Sequence, residues 1–183
     1  MKTVILLRHA KSDWSDTTQR DFDRPLNGRG ERAAALMGDW AKREALQFDR
    51  IVASPAARVR DTFGKFMESY GPYPEPLWDK RVYLASAATI GDVIGEADDS
   101  DTSLLLVGHN PGLEEFILDH VADDGRSRLR GDVAEKFPTA AIAVLDFDVD
   151  HWRDIAKACV GAGQLRRFIR PRDLDPELGP DGT

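Results

Sequence analysis

Leu104-Leu105-Leu106-Val107-Gly108-His109-Asn110-Pro111 is the stretch that decides the fold. Four apolar residues run without a polar interruption, as in a strand buried on both faces of a sheet. A short turn follows. Leu113, Phe116, Ile117 and Val121 then recur at helical spacing, which predicts a helix over Pro111–Val121. A doubly buried strand feeding directly into a helix is the repeating unit of an α/β protein. The same alternation extends outward in both directions. Strands are predicted at Thr3–Leu7, Arg50–Ala53 and Ala140–Phe147, and helices at Gly28–Leu46, Ala56–Tyr70 and Thr89–Gly95. Ala10–Asn27 has no period and reads as a long polar loop, and Gly71–Pro76 as a break. Trp152–Ala158 and Leu165–Ile169 are expected as edge strands. The expected architecture is a three-layer α/β/α sandwich around a mostly parallel sheet. It forms one domain over residues 1–170, followed by a loosely ordered Pro- and Asp-rich tail over 171–183.

Bulk properties narrow the function. The 183 residues are 42% hydrophobic and 31% charged, enough for one real core. A net charge of -7 and a pI near 5.1 argue against a nucleic-acid partner. No apolar run is long enough to span a membrane, and Arg8-His9 ends the N-terminal apolar run too early for a secretion signal. The single cysteine, Cys159, excludes an intrachain disulfide, so the cytoplasm is the expected compartment.

In open parallel sheets, ligands bind beyond the carboxyl ends of the strands. Arg8 and His9 follow the first strand. Ser54-Pro55 and then Arg58 follow the second, and His109 and Asn110 follow the Leu104–Val107 strand. Ser54-Pro55 and Asn110-Pro111 each read as a helix N-cap followed by proline at the first helical position. Two such helix N-termini and two guanidiniums on one rim suit a phosphate-sized dianion. Phosphoryl transfer needs an in-line nucleophile and positive charge around the equatorial oxygens. His9 can be the nucleophile, with Arg8, Arg58 and His109 supplying the charge.

These segments resemble the histidine phosphatase superfamily. Arg8-His9 matches its signature, Ser54-Pro55-Ala56-Ala57-Arg58 with Asp61-Thr62 its second-arginine motif, and Gly108-His109-Asn110-Pro111 its second-histidine motif. Arg8-His9-Ala10-Lys11-Ser12-Asp13-Trp14, Arg24-Pro25-Leu26-Asn27-Gly28-Arg29-Gly30 and Phe137-Pro138-Thr139-Ala140-Ala141 resemble the SixA-type phosphohistidine phosphatase branch. The resemblance implies a histidine phosphatase-like fold and a catalytic set of His9, Arg8, Arg58 and His109. It also points to Arg24, Asn27, Ser15 and Asn110 as substrate-binding residues. Ala10 replaces the usual glycine, and Ser15 stands where mutase-like members carry asparagine. The carboxylate acid of many relatives has no firm match, with Glu75, Asp79 and Asp92 as nearby candidates. Lacking such an acid, the protein is expected to favour a leaving group that departs easily, as in phosphohistidine.

The remaining polar residues have simpler readings. His120, on an apolar helix face, is expected as structural and His151 as solvated. No histidine pair has metal-ligand spacing. Cys159 lacks an arginine at the spacing of cysteine phosphatases and reads as a packing residue. Arg24 can line the pocket mouth or pair with Asp21 or Asp23. The expectation is a metal-independent phosphatase without cofactor, acting through phosphorylated His9 on phosphohistidine in proteins or a similar activated phosphate. A small-molecule phosphomonoesterase and a non-catalytic phospho-ligand binder are the alternatives, and a phosphomutase is a weaker one. The partner is a phosphorylated protein or small phosphorylated substrate, with neither nucleic acid nor membrane.

Overall fold

The computed structural model of the protein describes residues 1–157 and 161–179. The strands are β1 (Lys2–Arg8), β2 (Arg50–Ala53), β3 (Leu77–Trp78), β4 (Ser103–Gly108), β5 (Ile142–Phe147) and β6 (Gly163–Ile169). The helices are α1 (Gly28–Arg43), α2 (Ala57–Tyr70), α3 (Ala87–Gly95), α4 (Gly112–His120), α5 (Arg128–Glu135), α6 (Trp152–Ala156) and α7 (Pro171–Leu174). One six-stranded sheet runs β3-β2-β4-β1-β5-β6. The β3, β2, β4 and β1 strands are parallel, while β5 is antiparallel to both β1 and β6.

Alternate residues of the central strands feed two cores. Val4, Leu6, Leu104 and Leu106 pack with Ile94, Phe116, Val133 and Trp152 from α3, α4, α5 and α6. Ile5, Leu7, Leu105 and Val107 pack with Met37, Trp40, Phe63 and Phe66 from α1 and α2. The two-residue period therefore explains why these strands carry no polar face. The result is the three-layer sandwich that the apolar runs imply.

Four elements differ from the sequence reading, the first being β3, a two-residue strand where none was expected. Trp152–Ala156 is a helix, not an edge strand. Trp152 and Ile155, three residues apart, share one buried face, and five residues are too few to show that period against a strand's. Residue 158, the end of that expected strand, and Cys159 lie outside the described residues. Helix α5 falls where no element was expected; only Val133 is buried, so it lacks a hydrophobic stripe, but Ser127 caps it by accepting from the Arg130 N–H at 3.2 Å. The tail after Pro171 is structured through 179. Pro171 is buried, Leu174 and Leu178 pack on the α1–α2 core, and the Arg29 guanidinium donates to the Gly179 carbonyl. No described helix is long and apolar enough to cross a membrane.

Candidate active site

Strand register builds the site. Arg8 pairs with Gly108 across β1 and β4, and Ala53 with Val107 across β2 and β4, so three strands end level with one another. The ladder continues one step further: the His9 N–H donates to the Gly108 carbonyl and the Ser54 N–H to the Val107 carbonyl, both at 3.0 Å. His9 and His109 thus emerge side by side, with ring centroids 5.3 Å apart. The Ala140 N–H lies 3.1 Å from both the Arg8 and His9 carbonyl oxygens, and Ala140 sits at φ 61°, a left-handed conformation that costs an alanine about 1 kcal/mol. Backbone strain is therefore held directly against the His9 main chain.

His9 is only 9% exposed. Its Nδ1 is 2.7 Å from the Ala10 carbonyl oxygen. A carbonyl only accepts, so Nδ1 carries the proton and Nε2 keeps its lone pair. Burial lowers the His9 pKa to about 3 against the pull of that Ala10 hydrogen bond, and the charges of Arg8, Arg58 and Arg24 add to the lowering. His9 is neutral at pH 7, as a nitrogen nucleophile must be. Burial also takes His109 to about 3, helped by His9, Arg58 and Arg8. Its Nδ1 faces an Arg58 Nη2 donor at 3.3 Å and its Nε2 lies 2.8 Å from the Ser54 hydroxyl oxygen. His109 is therefore a neutral hydrogen-bonding group here, and the positive charge expected of it comes from the guanidiniums alone.

Arg8 donates from Nη1 to the Phe137 carbonyl at 2.7 Å, while its buried Nε has no partner. Arg58 donates to the Asp21 carbonyl at 2.7 Å and to an Asp21 carboxylate oxygen at 3.0 Å. Arg24 pairs with the other Asp21 oxygen, and its planar head lies 3.4 Å from the Trp14 ring centroid. Its side chain is only 10% exposed, and its Nε too lacks a partner. Buried guanidinium donors without acceptors, beside a neutral imidazole, are what an anion would satisfy. Asp61 and Thr62 brace the loop around them: Asp61 accepts from the Leu26 N–H at 3.1 Å, and Thr62 accepts from the Ala10 N–H at 2.9 Å.

A cavity of about 550 Å³ opens over His9, Arg8, Arg24 and Arg58. Pro138 and Thr139 line it, and so do Pro171, Leu178 and Gly179 of the tail. Arg24 satisfies both of its readings, since it lines the cavity and pairs with Asp21. The other expected substrate contacts do not line it. Asn27 caps α1, its Oδ1 accepting from the Gly30 N–H at 2.8 Å. Ser15 is exposed and its N–H donates to Asp13. Asn110 donates from Nδ2 to the Phe137 carbonyl at 3.1 Å and to Glu114 at 3.3 Å. Both expected proline-led helix starts are also displaced. Helix α2 begins at Ala57 with Ala56 as its cap, and α4 begins at Gly112 with Pro111 as its cap. The reason is tertiary: the Ser54 hydroxyl engages His109, and the Asn110 amide is turned to Phe137 and Glu114.

His120 is structural, stacked on Phe116 with ring centroids 4.1 Å apart. His151 is tied to Asp99 at 2.7 Å. Among the described residues no group of three or more His, Cys, Asp or Glu is placed to hold a metal ion. None of Glu75, Asp79 or Asp92 lines the cavity; Asp79 is held by Arg81 at 2.7 Å. Tyr83, which the sequence reading missed, stands at the site, and so does Asp21, which was expected only as a possible partner of Arg24. Asp21 is the one carboxylate among the described lining residues, and Tyr83 donates to it at 2.6 Å while its ring meets His109 edge-on at 5.4 Å. Asp21 has a sequence signal in its place three residues before Arg24, whereas Tyr83 has none.

Comparison with known proteins places this geometry. The model of the histidine phosphatase superfamily (branch 1) matches residues 4–79. An uncharacterized protein of Mycobacterium tuberculosis is 34% identical over 154 residues, covering 84% of this chain and 94% of its own. A solved structure from Agrobacterium tumefaciens, named for the phosphohistidine phosphatase SixA, superposes with a TM-score of 0.77 at 31% identity, covering 93% of this chain and 98% of its own. Another so named, from Nakamurella multipartitia, gives 0.78 at 26% identity, covering 93% and 96%. The fold that sets Arg8-His9 beside Arg58 and His109 is thus one these structures share, and this chain belongs to the histidine phosphatase superfamily, branch 1.

Proposed function

We propose that the protein is a phosphatase in which His9 Nε2 takes the phosphoryl group and water then hydrolyses the phosphohistidine. The observation that carries this reading is His9 itself. It is buried, neutral, locked in one tautomer by the Ala10 carbonyl, and faces a cavity with Arg8 and Arg58. Those guanidiniums can hold the equatorial oxygens as charge develops in transfer. No step is assigned to a metal ion or to a thiol.

The substrate reading is a phosphoryl group on nitrogen or on a comparably good leaving group. Two observations support it. The similar solved structures carry the name of a phosphohistidine phosphatase. And the single lining carboxylate, Asp21, is engaged by Arg58, Arg24 and the Tyr83 hydroxyl, so it is poorly disposed to donate a proton. A general acid is worth ~10²–10⁴-fold, and alkyl phosphates should lag behind activated ones by about that factor.

His9→Ala tests the mechanism. Turnover of phosphohistidine peptide and of aryl phosphate should fall to background, with the melting temperature retained. Acid-labile, base-stable phosphate should be trapped on wild-type His9 in the presence of a chelator. A variant that binds vanadate as wild type does and still turns over would sink the nucleophile; wild-type protein that binds but never turns over would make it a phospho-ligand binder.

A further inference from the structure

The cavity extends well beyond the place of one phosphoryl group, and its charge is lopsided. Eight of the chain's 25 lysines and arginines line it, against one of its 32 carboxylates among the described residues. In a protein of net charge -7 this is a strong local inversion. Three of the eight, Arg8, Arg24 and Arg58, surround His9. The other five, Lys11, Arg29, Lys136, Arg170 and Arg172, come from four separate stretches of chain. The tail helix α7 and its N-cap residue bring two of them, Arg172 and Arg170, and Pro171, Leu178 and Gly179 close that wall. Asp173 pairs with Arg170 at 2.9 Å but does not itself line the cavity. The cations therefore line a concavity, of a size typical of small-molecule sites, instead of spreading over a convex face.

We infer that this annex holds the leaving group, and that the leaving group is itself a phosphate: the substrate class is a small diphosphate whose terminal phosphoryl group is transferred. The inference rests on the reading of His9 as nucleophile. A leaving group that departs as an anion needs cations, not an acid, and this cavity offers many cations and a single carboxylate already tied to two arginines. The Nε2–P bond forms as the bridging P–O bond breaks. The bonding pair stays on the bridging oxygen, which leaves as part of a phosphate monoester dianion, with no proton supplied. Water then attacks phosphorus, the Nε2–P pair returns to the imidazole, and inorganic phosphate departs with both protons of the water.

The test compares a nucleoside diphosphate with 4-nitrophenyl phosphate, whose leaving phenolate is similarly basic. Matching the leaving groups removes any contribution of a general acid, so the ratio of the two kcat/KM values reads the annex. Wild-type protein should favour the diphosphate, and the preference should shrink with added salt. In Lys136→Gln/Arg172→Gln that ratio should fall roughly tenfold or more, as expected for losing hydrogen bonds to a charged group. A ratio unchanged by the double substitution, or a wild-type protein that favours the aryl phosphate, overturns the annex while leaving His9 as nucleophile intact. The same holds if acidic phosphohistidine peptides, but not diphosphates, gain over neutral counterparts. Turnover of either substrate persisting in His9→Ala is the separate result that overturns the underlying mechanism.

Discussion

A phosphate dianion arriving beside His9 meets guanidiniums that already have a partner. Asp21 gives Arg58 a carboxylate oxygen and its own carbonyl, gives Arg24 the other carboxylate oxygen, and takes the Tyr83 hydroxyl proton donor at 2.6 Å. It offers the same atoms that a phosphate would offer, in the same clamp. The incoming anion must share Arg58 and Arg24 with it or displace it, and either costs binding energy. Such a carboxylate holds the arginines in place and, in the phosphatase proposed above, should hasten release of product phosphate. Asp21→Asn keeps the shape and removes the charge. Inorganic phosphate and vanadate should then inhibit about tenfold more tightly, the scale of one charge-assisted contact. Inhibition constants measured on both proteins check this. Unchanged inhibition combined with lost turnover of poor leaving groups would make Asp21 an acid instead.

At the scale of elements, α1 and α2 cover the face of the sheet that carries His9, and their closeness depends on one residue. A Cβ on Gly38 would lie 2.1 Å from the Phe66 carbonyl oxygen, a backbone atom that cannot step aside alone. Gly64 of α2 has nothing within 4 Å of its place for a Cβ. The two glycines should respond with opposite signs. Gly38→Ala should destabilise by about 1–3 kcal/mol through overpacking. Gly64→Ala should stabilise by roughly 0.5–1 kcal/mol through helix propensity. Urea unfolding of both variants decides it. This contrast bears on what the sequence discloses. The apolar runs and the residues behind them make the central strands, the places of Arg8, His9, Arg58 and His109 just beyond their ends, and hence the sandwich legible, because each strand and its following turn is a local pattern. The closeness of α1 to α2, the Asp21–Arg58–Tyr83 cluster and the cationic tail wall are not, since each joins residues that are distant along the chain and follow no period. Helix α6 fails for a different reason: Trp152 and Ile155 alone cannot distinguish a turn of helix from a strand.

For the molecule as a whole, the two site histidines impose a dependence of stability on pH. Burial lowers both pKa values from 6.5 to about 3. Both residues are buried, His9 at 9% and His109 at 2% exposure, so a charge on either ring would be poorly solvated. In the unfolded chain each titrates near its ordinary value, so between about pH 6.5 and 3 the unfolded state binds more protons than the folded one. Their contribution is therefore complete above pH 6.5 and is lost as pH falls through that window. The slope is up to about 1.4 kcal/mol per pH unit for each ring while the unfolded chain is protonated and the folded one is not. Carboxylates held low by hydrogen bonds, such as Asp49 with Thr102 and Ser103, act in the same direction, but only near and below the ordinary range for Asp, about pH 4. The interval from pH 6.5 to about 4.5 thus isolates the histidines. Urea midpoints of the wild-type protein should drop steadily from pH 7 to 5, while a His9→Gln/His109→Gln variant should stay nearly flat. Parallel declines in the two proteins would mean that the site rings protonate within the fold, and that burial does not keep His9 neutral.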